Sequence, residues 1–376
     1  MVTIKHSAIF ILICLLLFSC AVLGKLKRTA APEPIIISEV RVDKKEFNPG
    51  KGETVSISYR ISKPAEVIIK FFDDELCLVR DLMPVSGGTS GTNTVIWDGR
   101  DLEGNIVPDA AYFFTIEAID HEGRLNFYDP TTISGGELLL PEINFGREKN
   151  KLFYQLSKDA RVNIKAGITS GGPLLKNILS WSPRMSGRNE EAWDGKDESG
   201  AIEAFSQKGF SLTIEAVSLP ENSIITRGNR EHDYFSYKHD IAQERPKKEG
   251  RPLYQNNPAF PVQPQVPVKI GYEPKFRIEL PEHIKTSEVG LPVVKEKTPI
   301  KIYLNEDIKR YVTEQRYEII FFVDFKFVTE MEQGYSPLTL IWDTRDLSNG
   351  EHIVTVNVAT LNGQISSASM RVIIQN

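Results

Sequence analysis

Apolar side chains recur at every second position through much of the chain, and this spacing predicts β-strands. In the stretch Val55–Ile61, for example, apolar residues alternate with Ser56, Ser58 and Arg60. Successive side chains of a strand point to opposite faces, so one face packs on a core while the other meets water. Helical spacing is confined to Asn305–Arg316, which predicts one short helix.

Clusters of glycine, proline, asparagine and serine separate the apolar runs, as at Asn48-Pro49-Gly50 and over residues 86–91. About seven short strands fit into each stretch of roughly 95 residues, with turns every 8–12 residues. This number and spacing of strands are typical of an immunoglobulin-like (Ig-like) β-sandwich, here of a variety without the cysteine pair.

The chain contains an internal repeat. Residues Tyr59–Lys70 match Tyr154–Lys165 at seven of twelve positions, with a shift of 95. Trp97–Ile106 then matches Trp193–Ile202 with a shift of 96. A third and more diverged copy is marked by Trp342-Asp343. Matches in one order at nearly one shift indicate a duplicated domain.

The spacing of the copies predicts how the chain is divided. The 149 residues from Trp193 to Trp342 exceed one repeat of 96 by 53, which leaves room for a linker. We expect a signal peptide at 1–24, Ig-like domains at 35–132, 133–226 and 276–376, and a proline-rich linker at 227–275. The predicted fold is therefore all-β, with three tandem sandwiches.

The predicted linker contains five prolines at multiples of three, from Pro252 to Pro267. Because polyproline II has three residues per turn, these prolines would line one edge of a stiff rod. Two interpretations are open. The rod is a docking ligand for a partner groove, or it is a rigid spacer or a segment laid along a domain edge. The second interpretation is favoured.

Each copy carries a Trp-Asp motif that we interpret as structural. Val95 and Trp97 share a strand face, so the indole would close one end of the core. Asp98 would accept backbone N–H bonds in the following turn, and Gly99 allows the positive φ that tight turns require. The residues concerned are Trp97, Asp98, Gly99, Asp101, Trp193, Asp194, Gly195, Asp197, Trp342 and Asp343.

Calcium is an alternative reading of the acidic series that runs from Asp98 to Asp109. Calcium loops place their oxygen ligands at regular alternate positions. Here the spacing is irregular, and the second copy has Ala201 in place of Asn105. A network of turns is therefore favoured over a metal site.

Three stretches of the first copy resemble the Ig-like domain of the flagellar hook-capping protein (FlgD-type): VIIKFFDDELCLVRDL at 67–82, WDGRDLEGN at 97–105 and PDAAY at 108–112. The resemblance is weaker in the second copy. The resemblance implies bacterial Ig-like domains in tandem, and the predicted signal peptide places them on an exported chain. Hook-capping proteins leave through the flagellar export channel without a cleavable signal peptide, so the resemblance implies the fold and not a flagellar function.

An almost unbroken apolar run, Ala8–Gly24, follows Lys5. The run is short for a membrane-spanning helix, which needs about 20 apolar residues, so it predicts a signal peptide. Leu17-Phe18-Ser19-Cys20 resembles a lipoprotein box. We therefore predict cleavage before Cys20 and lipid attachment to it, with ordinary cleavage after Gly24 as the alternative. The expected location is the cell envelope, at the outer membrane or cell surface, and otherwise the periplasm or the medium.

Composition narrows the classes of partner and chemistry. With 45 basic and 50 acidic residues the net charge is −5, which gives no electrostatic reason to expect nucleic acid. Of three cysteines, Cys14 lies in the signal peptide, Cys20 is the lipid site, and Cys77 lies in an apolar run. No internal disulfide can form, and no cofactor is expected.

Candidate chemistry is sparse, and no catalytic residue is predicted. The pairs His232-Asp233 and His239-Asp240 could bind zinc, but they lie in a polar tract, so a solvated loop is favoured and no metal site is predicted. Trp181 lies in a predicted loop and has no counterpart in the first copy. It is the candidate contact residue.

These observations favour a non-enzymatic scaffold or protein-interaction protein of the cell envelope. The alternative is a carbohydrate-binding surface protein that uses exposed aromatic side chains, for which Trp181 and the tract with Tyr234, Phe235 and Tyr237 are the candidates. A metal enzyme at His232 and His239 is the third and weakest hypothesis. The expected partner is an envelope or surface protein or a glycan. Membrane contact is expected only through the N-terminal lipid or signal anchor.

Overall fold

The computed structural model describes residues 33–84, 87–146, 150–229, 233–248, 273–306, 309, 312, 316–361 and 363–376. The predicted signal peptide with Cys20 and the proline run from Pro252 to Pro267 lie outside these residues. Within the predicted short helix, Glu306, Lys309 and Val312 are helical, whereas the end residues Asn305 and Arg316 are not. No helix among the described residues combines the length and apolar character needed to span a bilayer.

The first module is a sandwich of two sheets. Its strands are β1 (Ile37–Val42), β2 (Glu46–Phe47), β3 (Val55–Ile61), β4 (Glu66–Phe72), β5 (Leu78–Leu82), β6 (Gly91–Trp97), β7 (Ala111–Ile119) and β8 (Leu125–Tyr128). One sheet has the antiparallel order β1-β3-β6, and β3 places Val55 opposite Trp97. In the other sheet β7 lies beside β4, β4 beside β5, and β8 on the far side of β7. The pattern of alternating burial in β3 follows the predicted one.

The second module repeats this design. Its strands are β9 (Leu138–Leu139), β10 (Ile143–Gly146), β11 (Lys151–Leu156), β12 (Ala160–Ile168), β13 (Leu174–Arg184), β14 (Gly187–Ala192) and β15 (Phe210–Ser218). They form the sheets β10-β11-β14 and β13-β12-β15-β9. Short 3-10 turns lie at Pro49–Lys51 and Pro130–Thr132 in the first module and at Ala204–Ser206 in the second.

After the second module the chain returns to the first. Strand β16 (Ile224–Thr226) lies between β2 and β7, parallel to β2 and antiparallel to β7. Helix α1 (Tyr234–Glu244) follows, with its N-terminus capped by the Asp233 side chain. We call residues 224–229 and 233–248 the return segment. It contributes Ile224, Tyr234 and Ile241 to the first core.

The return segment differs from the predicted division of the chain. The end of the predicted second domain, β16, belongs to a sheet of the first module. The start of the predicted linker, up to residue 248, packs on that module. The helix escaped prediction because its inward positions Tyr234, Lys238 and Ile241 include a lysine, which masks the apolar spacing of a helix.

The third module is again a two-sheet sandwich. Its strands are β17 (Phe276–Glu279), β18 (Val293–Val294), β19 (Lys297–Leu304), β20 (Tyr317–Val323), β21 (Lys326–Met331), β22 (Leu338–Asp343), β23 (Gly350–Thr360) and β24 (Ile365–Ile374). The sheets have the orders β17-β19-β22 and β18-β24-β23-β20-β21. The prediction of an all-β sandwich fold is confirmed.

Each of the three modules has its own hydrophobic core among the described residues, and a tryptophan of the repeated motif is buried in each. In the first core Trp97 stacks on Phe71 with ring centroids 4.4 Å apart. In the second, Trp193 lies 4.9 Å from Phe145. Burial of large aromatic rings contributes much of the free energy of such cores.

We expect Trp97→Ala to lower the free energy of unfolding of the first module by about 3–5 kcal/mol, because it removes a fully buried indole. Urea denaturation followed by circular dichroism measures the loss. Ile96→Ala is the matched control, since the neighbouring side chain is 60% exposed, and it should change stability by no more than about 0.5 kcal/mol. Equal losses in the two variants would contradict this view of the motif.

Candidate functional site: the junctions between modules

The repeated Trp-Asp motif forms a turn that is satisfied by its own hydrogen bonds. The indole Nε1 of Trp97 donates to the carbonyl of Arg100 at 2.9 Å, and Trp193 does the same to Lys196 at 2.9 Å. Gly99 has φ +73°, and a Cβ there would come within 2.5 Å of the Pro49 side chain. The turn therefore requires glycine at this position.

The aspartates of the motif are occupied by donors from the protein. Asp98 Oδ1 accepts the Arg100 N–H at 3.1 Å. Asp101 Oδ1 accepts the N–H groups of Glu103 and Asn105 at 3.1 and 2.9 Å. These bonds describe a network of turns. In the described part of the chain, no three histidine, cysteine or acidic side chains cluster in a way that could hold a metal ion.

The second and third copies use the motif in the same way. Asp194 Oδ1 accepts the Lys196 N–H at 3.0 Å, Asp197 Oδ1 accepts the Ile202 N–H at 2.8 Å, and Gly195 has φ +82°. Asp343 Oδ1 accepts the Arg345 N–H at 3.2 Å, and Trp342 is buried.

Trp181 is not an exposed contact residue, so that prediction is wrong. The residue lies within β13, and only 5% of its surface is exposed. Its neighbours, two serines and Pro183, suggested a loop, but the strand continues through them to Arg184. The carbonyl of Trp181 accepts a bond from Arg161 Nη1 at 3.3 Å, and Arg161 in turn donates to the Ala111 carbonyl of the first module.

The histidine pairs do not form a described site. His239 lies on α1 and shares a hydrogen bond with Gln243, at 2.9 Å, whereas His232 lies outside the described residues. Cys77 is buried, and burial raises the pKa of its thiol to about 12, which leaves it without nucleophilic character at neutral pH.

A serine, a histidine and an aspartate meet in the third module, but their geometry is structural. His352 Nδ1 lies 2.7 Å from Asp324 Oδ2, and its Nε2 lies 2.8 Å from the Ser348 carbonyl and 3.4 Å from the hydroxyl. Burial alone would lower the pKa of His352, but the bonds to Asp324 and to the Ser348 carbonyl raise it. The imidazole thus donates to two acceptors and ties two loops together instead of activating the hydroxyl.

The first junction is built on a buried carboxylate. Asp74, in the turn between β4 and β5, accepts a hydrogen bond from the Tyr234 hydroxyl of α1. Its Oδ1 lies 3.8 Å from Arg161 Nη2 of the second module, and its Oδ2 lies 3.5 Å from Lys238 Nζ of α1. We call Asp74, Arg161, Tyr234 and Lys238 the clasp. It joins the first module, the second module and the return segment at one point.

Further contacts anchor both cations of the clasp. Arg161 Nη2 also donates to the Ala111 carbonyl at 3.4 Å, and its guanidinium lies 5.2 Å from the centre of the Tyr234 ring. Lys238 Nζ lies 3.0 Å from Glu75 Oε1. Arg161 and Lys238 are both buried, and buried charges persist only when they are paired in this manner.

The charged groups of the clasp shift one another's pKa values. Burial alone would raise the pKa of Asp74, but Lys238, Arg161 and the Tyr234 bond lower it. Burial alone would lower the pKa of Lys238, but Asp74 and Glu75 raise it. At neutral pH the clasp therefore consists of an ionised Asp74 carboxylate between two cations, Arg161 and Lys238.

Asp73, next to the clasp, behaves differently. Burial and the charge of Asp74 raise its pKa to about 7. Its Oδ1 accepts the N–H groups of Cys77 and Glu75 at 2.8 and 2.9 Å, while its Oδ2 is buried and has no hydrogen-bond partner among the described residues. One more negative charge at this point has no counter-ion of its own, so the carboxyl retains its proton to near-neutral pH.

The end of the return segment closes the edge of β5. The Leu78 N–H donates to the Pro246 carbonyl at 3.0 Å, and the Lys248 N–H donates to the Leu76 carbonyl at 2.9 Å. Arg245 Nη2 lies 3.1 Å from Asp101 Oδ2, which links the segment to the Trp-Asp turn. The segment thus adds a short stretch of strand to the sheet.

The second junction, between the second and third modules, is neutral and polar. The side chain of Asn357 accepts the Leu174 N–H at 2.8 Å and donates to the Leu174 carbonyl at 2.9 Å. Ser367 donates to the same carbonyl at 2.7 Å, and the Ser369 N–H donates to Ser199 Oγ at 2.8 Å. Phe325 of the third module packs against the second core.

Sequence reasoning assigned no residue of the clasp to a junction between modules. A signal was present in the repeat, where Arg161 stands at the position of Glu66 in an otherwise matching stretch. The acidic turn Asp73–Glu75 likewise has no counterpart in the second copy, which has Thr169-Ser170-Gly171 there. Where two copies of one sandwich differ in their charged residues, those residues indicate a role other than folding of the copy itself.

The fold defines this chain as an all-β protein built of sandwich modules, with hydrogen bonds and ion pairs between the modules. Among solved structures, it is similar to fibronectin(III)-like modules of CbhA from Clostridium thermocellum, at 10% identity and TM-score 0.20, over 91% of this chain and 94% of that chain. It is also similar to FlgD from P. aeruginosa, at 16% identity and TM-score 0.20, over 39% of this chain and 93% of that chain.

A third similar structure belongs to a 1.5-MDa bacterial ice-binding adhesin, at 9% identity and TM-score 0.19, over 91% of this chain and 99% of that chain. No protein-family model and no curated protein matches the chain. The all-β sandwich fold of this chain follows from the strands and sheets described above.

We expect Arg161→Met to destabilise the first junction by about 3–5 kcal/mol, because it leaves Asp74 buried with one counter-ion fewer. Chemical denaturation, with hydrogen exchange of α1 as a local probe, measures the loss. Lys70→Met is the matched control. Lys70 lies 2.8 Å from Glu117 with both side chains about a third exposed, and such pairs contribute only about 0–1 kcal/mol. Similar losses would contradict the role of the clasp.

The raised pKa of Asp73 predicts a pH dependence of stability. Its protonated form is favoured in the folded state, so its contribution is fully present below the unfolded value near 4 and is lost as pH rises through about 7. Denaturation between pH 4 and pH 8 should show a decline that is reduced in Asp73→Asn. Asp81→Asn, at an exposed position, should keep the parental decline. A decline of equal slope in both variants would refute the assignment.

Proposed function

We propose that the protein is a non-enzymatic scaffold of the cell envelope, which binds a partner protein on tandem Ig-like modules and is anchored by lipid on Cys20. The observation that carries the proposal is the pair of bonded junctions. Arg161 holds the second module to the first, and Asn357 holds the third to the second. Modules held in this way present their surfaces at constant spacing, which a scaffold requires.

Exposed apolar residues on the sheets support a role in binding. Ile119 on β7 lies opposite Leu125 on β8, and both side chains are exposed. Phe127, two residues further along β8, is exposed on the same face. Contiguous exposed apolar side chains often mark interaction sites.

The structure removes the observation that favoured carbohydrate binding. That hypothesis depended on exposed aromatic side chains at Trp181 and in the tract that contains Tyr234, Phe235 and Tyr237. Trp181 and Tyr234 are buried, and Phe235 and Tyr237 pack against the first core. We therefore do not propose a glycan as the partner.

Crosslinking in the native envelope, followed by mass spectrometry of the mature N-terminus in the same sample, tests the proposal. We expect a mature chain that begins at Cys20 with lipid on its thiol, together with specific protein crosslinks. Cys20→Ser should abolish lipid and membrane retention. Cys14→Ser is the matched control inside the predicted signal peptide and should retain both.

Two results would count against this function. A mature chain that begins after Gly24 without lipid would refute the anchor. An anchored chain without any reproducible protein crosslink would refute the scaffold.

A further inference from the structure

The hairpins β4–β5, β12–β13 and β20–β21 share one irregularity of register. Close to the turn of each hairpin, one residue of the second strand is skipped in the pairing: Val79, Leu175 and Val328, respectively. The β12–β13 hairpin has two further shifts, farther from its turn. Such a bulge defines equivalent positions in the three copies. The residue before the bulge is Leu78 in the first copy, Leu174 in the second and Phe327 in the third.

In the first two copies, a later part of the chain covers the bulge. The Leu78 N–H donates to Pro246 of the return segment, and the Leu174 N–H donates to Asn357 of the third module. Val79 and Leu175 are fully buried, and their carbonyls accept backbone bonds from the Trp-Asp turn of their own module. In the first two copies, a later part of the same chain therefore occupies the strand edge at this position.

In the third copy the same edge is open. β21 ends its sheet, and Phe327, Val328 and Met331 are 54%, 47% and 37% exposed. Within the described ranges, no hydrogen bond from outside the sheet reaches Phe327. A strand edge with exposed apolar side chains is a template for pairing with another chain.

The charge around the filled edge indicates what fits the open one. The stretch that fills the first edge is basic. Arg245 pairs with Asp101, and Lys248 Nζ lies 2.6 Å from Asp129 Oδ2. At the open edge, two of the three charged side chains from Lys326 to Glu332 are acidic, and neither Glu330 nor Glu332 makes an ion pair with a described residue. Complementarity therefore favours a basic partner strand.

We propose that the β21 edge binds an extended, basic segment of a partner protein, which adds to the sheet as residues 246–248 add to the first module. Main-chain hydrogen bonds would provide the affinity, and the acidic side chains with exposed Phe327 and Val328 would provide the selectivity. This inference rests on the proposed interaction function and names its site and the chemistry of its partner.

A synthetic peptide with the sequence of Gln243–Lys248 serves as the probe, because this stretch fills the equivalent edge in the first module. We expect the labelled peptide to bind the purified full chain by fluorescence anisotropy and to slow hydrogen exchange at 326–331. A counterpart with glutamate at its three basic positions should not bind. Absence of protection at 326–331, or protection confined to the β5 edge, would overturn the inference.

Variants of β21 separate main-chain pairing from charge. Val328→Lys should abolish binding by placing a cation against the basic peptide on the exposed edge. Glu330→Lys should weaken it roughly two- to fivefold, as expected for one exposed ion pair. Leu361→Lys is the matched control in the same module, since Leu361 is 68% exposed and lies outside β21. Parental affinity in both β21 variants would overturn the inference.

Self-association must be measured in the same samples. Analytical ultracentrifugation should show no association that depends on β21. Dimers that Val328→Lys dissociates and that exclude the peptide would make a second copy the occupant and overturn the inference. If the peptide does not bind in solution, the inference about β21 fails, while crosslinks in the envelope would still support the proposed function. If the peptide binds but no crosslinks form in the envelope, only the envelope role is refuted.

Discussion

The return of the chain to the first module is the constraint on which the rest of the arrangement depends. Strand β16 fills the place between β2 and β7, and Ile224 and Ile241 enter the first core. Tyr234 belongs to this core and to the clasp, so one residue couples apolar burial to the charged junction. The first module therefore reaches its full core only after the second module has been placed between its two parts.

Charged groups make the contact between the first and second modules specific. Removing charges from water is costly, and Asp74 is tolerated in the interior because Arg161 and Lys238 approach it from different elements. A shift of the second module would separate Arg161 from Asp74 and leave Lys238 as the one cation of the clasp beside that carboxylate. The pKa of Asp73 is raised to about 7 in the same place, because burial and the neighbouring charge of Asp74 both oppose its ionisation.

The equivalent hairpins of the three modules serve three different purposes. The bulge at Val79 is closed by an extended stretch of the return segment, and the bulge at Leu175 faces the third module. At Val328 the same geometry remains open to solvent. Sheet edges need protection against unwanted pairing. A later part of the chain bonds to each of the first two edges, so this protection also holds distant parts of the chain together.

The sequence by itself determined the sandwich fold, because a period of two and turn residues such as Asp98 and Gly99 are local properties that each copy repeats. Only the tertiary structure decided the docking. The strand Ile224–Thr226 is too short for any period to assign it to a module. The burial of Trp181 and the charge of Arg161 depend on residues that are distant in the chain. Pairing across such distances is set by the shape and charge of assembled surfaces, which local patterns do not encode.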